Sequence, residues 1–578
     1  VDSPQASAPD LILYGGTVLD GSLPGPDVSA ASAATAIALA DGRILAIGDD
    51  GLRGLAGPGT RVVDVAGGAI LPGINDAHLH LVGTAMCSFG HLRIGRDRAA
   101  TWDQVARILA EAPVGADGWV RAHGWDEAVL GPGGPAAVTA ARTDVPVVAY
   151  DQTGHGLIAN APALRQAGID AGTPDPTGGV IERTAGRAPT GLLQDGAMAL
   201  LNACLPPVPG DQLRDALLQT QAVLHAQGIT SLTEPGLGPG SPGLLDGSGT
   251  TAALDLLGDM AAAGELTLRV SVLMLFAGTG GVSADAVAGG LGSGLAGAYT
   301  RRGIDPRRLR VAGVKIFADG IPRSGTAWMH EPYGAACTHG HLVVAGANDD
   351  ERVAEFERIL TLVHQAGLQA GIHATGDAAT ETAVRILAGL PDGAGPRHYI
   401  IHGAFSDNAT LSSMAAHGIG YSTNPLIRAS AGDLMRDVLG AERFEAHQPL
   451  NTALAAGVSL NIASDSPVTS TDWRQTVIAA VRRGTPAHPG TDADPERITS
   501  LQALAAMTSL PAWQDHAESF KGALRPGMAA DLCVLDGPWP DDAAIEDLAG
   551  RDIVLTLVAG HPVHDRLANP SHQNQETS

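Results

Sequence analysis

The chain has 578 residues, 44% of them hydrophobic and 17% charged, a globular balance with length enough for two to four domains. Its formal net charge of −25 is offset by no local cluster of Lys and Arg, which excludes nucleic acid as an expected partner. Apolar stretches such as 270–277 fall far short of the ~20 residues of a bilayer-spanning helix, so no membrane is expected either.

No basic-then-apolar segment opens the chain, and the expectation is a soluble, unexported, cytoplasmic protein. The four cysteines, Cys87, Cys204, Cys337 and Cys533, show no paired spacing, which fits a reducing compartment. Only two of the 36 basic residues are lysines, Lys315 and Lys521. A lysine kept against such a bias invites a chemical reason.

In chain order, residues 11–14, 36–40, 43–47 and 61–65 read as short strands, the middle pair joined by an Asp41-Gly42 hairpin turn. Residues 530–535, 552–558 and 560–563 repeat that style near the other end. The two ends, 1–68 and 521–578, are therefore expected to complete one β-sandwich around a central unit, 69–520. There, eight apolar strands are predicted at 69–75, 228–233, 267–275, 310–318, 368–373, 398–402, 419–423 and 459–464, alternating with amphipathic stretches such as 350–366 and 378–390. Eight such units predict the α/β class and a (β/α)8 barrel. The gap at 81–227 is too long for a crossover and holds strands of its own at 119–122 and 145–150. It reads as an inserted subdomain covering the barrel mouth. The polar tail, 569–578, is expected to fray.

Strand one runs into Asp76-Ala-His78-Leu-His80, and in a strand residues two apart share a face, so both imidazoles can bind one metal. With 20 histidines in the chain, about one His-x-His arises by chance, and a second stands at His339 and His341. Context favours the first, which follows a barrel strand at the end where barrel active sites lie. Other strand ends add Lys315, His373, His402 and Asp465. Each is ligand-capable, Lys315 through a neutral amine that adds carbon dioxide to become an anionic carbamate. Its alternative is a structural ion pair with Asp319 or Glu331.

These residues resemble the amidohydrolase superfamily. Leu71-Pro-Gly, Val314-Lys-Ile-Phe-Ala-Asp-Gly320, Ile372-His-Ala-Thr-Gly-Asp377, Ser464-Asp-Ser-Pro467 and Lys521-Gly-Ala-Leu-Arg-Pro-Gly-Met-Ala-Ala-Asp531 are similar to its amidohydrolase-3 branch, which includes N-substituted formamide deformylases. Gly154-His155 and Asn160-Ala-Pro-Ala-Leu164 match its inserted segment. Ile401 and Ser324-Gly-Thr326 depart from the Glu and Ser-Arg-Thr common in the branch. The resemblance implies hydrolysis of an amide-type carbon–nitrogen bond other than a peptide bond. His78 and His80 would hold one ion, His373 and His402 a second, with carboxylated Lys315 bridging them and Asp465 touching the first. A metal-activated hydroxide attacks, and Asp465 shuttles the proton. One or two divalent ions are implied; zinc suits the ligands, with iron, manganese and nickel as alternatives.

His123, His155, Arg323 and Trp328 are candidate substrate contacts from loops near the mouth, and Asp377 is a candidate helix cap. The expected partner is a small-molecule substrate, and a homo-oligomer is left open. Ester or lactone hydrolysis would use the same site. A non-catalytic, metal-stabilised binding or regulatory protein is the other reading, disfavoured because a structural metal site needs no proton shuttle.

Overall fold

The computed structural model describes residues 8–24, 34–176, 179–240, 249–278, 280–333, 338–391 and 395–568; Cys337 and the polar tail lie outside them. Eight parallel strands form the central sheet: β1 (Ile74–Asp76), β2 (Ile229–Leu237), β3 (Arg269–Met274), β4 (Leu309–Phe317), β5 (Gln369–Ala374), β6 (Tyr399–His402), β7 (Gly420–Thr423) and β8 (Leu460–Ile462). They follow one another in sequence order around the sheet. Just beyond β1 and β8 the ring is joined by two backbone hydrogen bonds, from the Asp465 N–H to the His78 carbonyl (2.8 Å) and from the His80 N–H to the Ser466 carbonyl (3.0 Å). The strands are buried along nearly their whole length, as expected of a parallel sheet covered by helices. The helix Asp349–Gln365 shows how those helices are specified. Asn348 caps it by accepting from the Glu351 N–H, three acids fill its first turn, and Phe356, Ile359, Leu360 and Val363 bury one stripe.

The strand expected at 69–75 is divided. Ala69–Pro72 pairs with Thr17–Val18 and Leu532–Leu535 in a five-stranded sheet of the chain ends, and only Ile74–Asp76 enters the barrel. Gly73 sits at the break, where a Cβ would lie 2.2 Å from Thr230 Oγ1; a side chain there would force the two sheets apart. A second sheet, containing Leu11–Tyr14, Ala36–Ala40, Arg43–Gly48 and Arg61–Asp64, faces the first. Leu13, Ile37 and Leu39 share a core with Ile70, Val534 and Leu557, so residues from both ends of the chain bury one another's apolar faces.

The inserted segment builds a six-stranded sheet of its own, including Val120–Trp125 and Val147–Asp151, with a separate apolar cluster on each side. Among the described residues no helix is long and apolar enough to cross a membrane.

Candidate active site

The C-terminal ends of the barrel strands bring the predicted ligands together. His78 and His80, just past β1, are buried with their rings edge to face, centroids 5.1 Å apart. The Nε2 atoms of both lie 3.2 Å from the same Oδ1 of Asp465. His402 ends β6, and its ring is 5.6 Å from that of His78 and 4.7 Å from that of His373 on β5. One donor atom each from His78, His402 and Asp465 lies within 4.8 Å of the others. Lys315, on β4, is 2% exposed, and its Nζ lies 4.7 Å from the centre of the Phe317 ring, which in turn is 5.1 Å from the ring of His373.

Two of these residues hold an unfavourable backbone. His402 has φ +67° and Asp465 φ +57°, a region side-chain-bearing residues seldom adopt, at a cost of order 1 kcal/mol or more each. The seam bond from Asp465 to His78 and the bond from the Gly403 N–H to the Ala374 carbonyl (2.9 Å) hold them there.

Burial is the main reason that His78 and His373 stay neutral, both being pushed well below the ordinary imidazole range. For His78 the Lys315 charge adds to it; for His373, His402 and then Lys315 do. Burial is also the main cause that lowers His402, with the Lys315 charge adding to it and the Asp465 carboxylate opposing it. Burial alone would raise the Asp465 carboxyl, but the imidazoles of His78 and His80 more than reverse it and hold it well below the carboxylate range. Neutral imidazoles beside an ionised carboxylate are the donor set a divalent metal takes. His78 adds a direct sign: its Nδ1 is buried with no hydrogen-bond partner among the described residues, a costly arrangement.

Three residues brace the site in roles the sequence did not indicate, although Asp319 was a candidate ion-pair partner of Lys315. Asn424, just past β7, places Oδ1 2.7 Å from His402 Nδ1 while its Nδ2 donates to the Ala463 carbonyl. That fixes the His402 tautomer with Nε2 free to act as a ligand. Asp76 accepts from the backbone N–H groups of His78 and Ser464, bracing both sides of the seam, and burial raises its carboxyl to about 6. Asp319 accepts from the N–H groups of Trp328, Thr375 and Gly376, and burial raises it to about 7. A polar residue at or just beyond a barrel strand end was the available signal for all three.

A cavity of about 840 Å³ opens onto His373, His402 and Asp465, a volume suited to a small-molecule ligand. The inserted segment supplies part of its wall, with Thr84, His123, Gln152 and His155. His123 lies on the strand Val120–Trp125 rather than in a loop, and burial lowers it to about 4. His155 occupies a turn with Nδ1 2.8 Å from Asp195 Oδ1; burial lowers its pKa, but the Asp195 carboxylate outweighs this and the net shift is upward. Arg323 lines the cavity, whereas Trp328 does not and packs against the barrel core. Asp377 is the first residue of its helix and not the cap, which is Gly376; its Oδ1 accepts from the His330 N–H at 2.8 Å. His339 and His341 lie outside the His–Asp cluster.

The chain is similar to known proteins along nearly its whole length. The chain is 27% identical to Protein LONG AFTER FAR-RED 3 of Arabidopsis thaliana, over 97% of this chain and 92% of that one. It is 26% identical to the N-substituted formamide deformylase of Arthrobacter pascens, over 92% and 94%. An uncharacterized metal-dependent hydrolase from Pyrococcus horikoshii OT3 shares the fold, with a TM-score of 0.69 at 21% identity over 96% of this chain and 99% of that one. Residues 61–564 match the Amidohydrolase family, and the chain belongs to that family.

Proposed function

We propose that the protein hydrolyses an amide-type carbon–nitrogen bond of a small molecule, with N-substituted formamides the first class to examine. The observation that carries this reading is the convergence of His78, His402 and Asp465 donor atoms within 4.8 Å where the barrel meets the cavity. The likeness to a formamide deformylase along nearly the whole chain supports the choice of bond.

His78, His80, His373, His402 and Asp465, with Lys315 as its carbamate, are the residues that would hold one or two divalent ions, zinc being the ion best suited to imidazole and carboxylate. Such an ion supplies Lewis-acid polarisation of the carbonyl and a water acidified towards neutrality. The rest is the work of the chain. Asp465, ionised and facing the cavity, accepts a proton from the attacking water and returns it to the departing nitrogen, acting first as base and then as acid. Asn424 keeps His402 in one tautomer while this happens. The inserted segment walls the cavity and limits which amines enter.

The test is turnover by metal-loaded protein of a panel of N-formyl amines beside matched formate esters and lactones, followed by release of amine or alcohol. Amide cleavage is expected. Cleavage of esters alone would replace the amide reading, and no turnover of any member would contradict it.

A further inference from the structure

Apolar side chains scattered singly over a protein surface are ordinary, but several gathered around one opening mark a binding surface. Phe89, Val223 and Leu434 are 41%, 43% and 41% exposed, and all three line the cavity that ends at His402 and Asp465. Leu426, half-buried, lines it too. None of the four belongs to an apolar cluster of the core among the described residues. Folding thus leaves apolar surface facing the cavity instead of burying it.

Leu426 and Leu434 lie on one helix, Pro425–Leu439, which begins next to Asn424, the residue whose Oδ1 is 2.7 Å from His402 Nδ1. Residues four apart share a helix face, and Leu426, Ser430 and Leu434, with Ile427 and Ala431 beside them, all line the cavity. The stripe is apolar except for Ser430. From Leu426 to Leu434 it spans about 12 Å at ~1.5 Å per residue, starting at the candidate metal site and ending at an exposed side chain. The opposite face fixes the helix in place. Arg428, buried, donates from Nη1 to the Phe444 and His447 carbonyls at 3.2 Å each, and a Cβ on Gly432 would lie 2.6 Å from Thr485 Cγ2. Across the cavity, the chain runs from His80 through the helix Leu81–Ala85 directly into the turn Met86–Gly90 that carries Phe89. The apolar track is therefore anchored beside two candidate ligands and is ordered before anything binds.

We propose that this track receives a linear aliphatic chain carried by the substrate's nitrogen, so that the compounds hydrolysed are N-alkyl amides with a chain of about eight to ten carbons. An extended chain advances ~1.2 Å per bond, one third of the ~3.5 Å per residue of extended backbone, so about ten bonds cover the stripe. Each methylene laid on that surface leaves water and favours binding by up to about fourfold, whereas a polar substituent gains nothing there. This rests on the amide-hydrolase reading and names its substrate class.

The experiment compares metal-loaded wild type, Leu434→Asp and Leu434→Met on N-ethyl-, N-butyl-, N-octyl- and N-dodecylformamide, together with calorimetric titration of 1-butanol and 1-octanol into each protein. Wild-type kcat/KM is expected to rise about 50-fold or more from the ethyl to the octyl compound, mostly through KM, and to level off by the dodecyl one. Octanol, which carries the chain without an amide, should bind about tenfold or more tighter than butanol. Leu434→Asp should cut both preferences about fivefold or more, and Leu434→Met should keep them, which separates loss of apolar surface from misfolding. Equal kcat/KM for the ethyl and octyl compounds would overturn the track and leave the hydrolase reading standing. Chain-dependent binding of the alcohols that is lost in Leu434→Asp, without turnover of any formamide, would support the track and count against the amide reading. Equal binding of the two alcohols, or wild-type preferences in Leu434→Asp, would overturn the inference.

Discussion

Asp465 and His78 are joined twice: the Asp465 N–H donates to the His78 carbonyl at 2.8 Å, and His78 Nε2 lies 3.2 Å from Asp465 Oδ1. The backbone bond ties the last barrel strand to the first, and the side-chain contact sets two candidate metal ligands against each other. Closure of the fold and assembly of the site are thus one event. That is why residues 387 positions apart in sequence can be positioned without a loop of their own.

The first prediction follows from the division of labour at Asp465. If it chiefly moves protons, Asp465→Asn keeps much of the metal, because His78, His80, His373 and His402 remain, while kcat falls 10²-fold or more. Metal content and rate are measured on the same preparation. Near-wild-type turnover would remove Asp465 from proton transfer.

Lys315 leads to the second. Lys315 is almost wholly buried on β4, and its positive charge depresses the pKa of His78, His373 and His402. An ammonium in that place opposes a bound cation, whereas a carbamate reverses the sign of its charge. Lys315→Ala should lose metal and at least 10²-fold in rate, and acetate or propionate in the buffer should restore part of both. Electron density for an unmodified amine beside a fully occupied, active metal site would eliminate the carbamate.

A third prediction concerns stability. His225 is buried, with Nδ1 3.0 Å from the Ile229 carbonyl and Nε2 2.8 Å from Thr267 Oγ1; burial lowers its pKa to about 4, and burial does the same for His398. Between pH 6.5 and 4 the unfolded chain binds protons that the folded chain does not, so stability must fall as pH falls. The loss is about 2 kcal/mol per histidine between pH 7 and 5. Urea unfolding at the two pH values measures it, and His225→Gln should flatten the dependence by a comparable amount. An unchanged slope in the variant would show that His225 does not contribute.

Much of this was legible in the sequence because it is periodic or sits at strand ends. All eight barrel strands announce themselves as apolar runs between helical stretches, and His78, His402 and Asp465 each follow one. The division at Gly73 was hidden, since Ala69 to Asn75 reads as one strand and only the approach of Thr230 reveals the break. Most of the inserted sheet was hidden too: a short segment such as Gly156–Ala159 carries little pattern of its own and is held by its neighbours. Asn424 is an ordinary polar residue until folding places it against His402. The assignment of Trp328 to the cavity failed because proximity in sequence to the β4 loop does not say which way a large ring packs.

Whether the cluster holds metal is decided by elemental analysis of the purified wild type beside a His78→Ala, His402→Ala double variant, both grown with supplemented metal and both checked for folding by circular dichroism. One to two equivalents of divalent metal per wild-type chain are expected, and less than about a tenth of that in a folded double variant. Equal metal in the two proteins, or a wild type that binds less than about half an equivalent and gains no activity when metal is added, would contradict it.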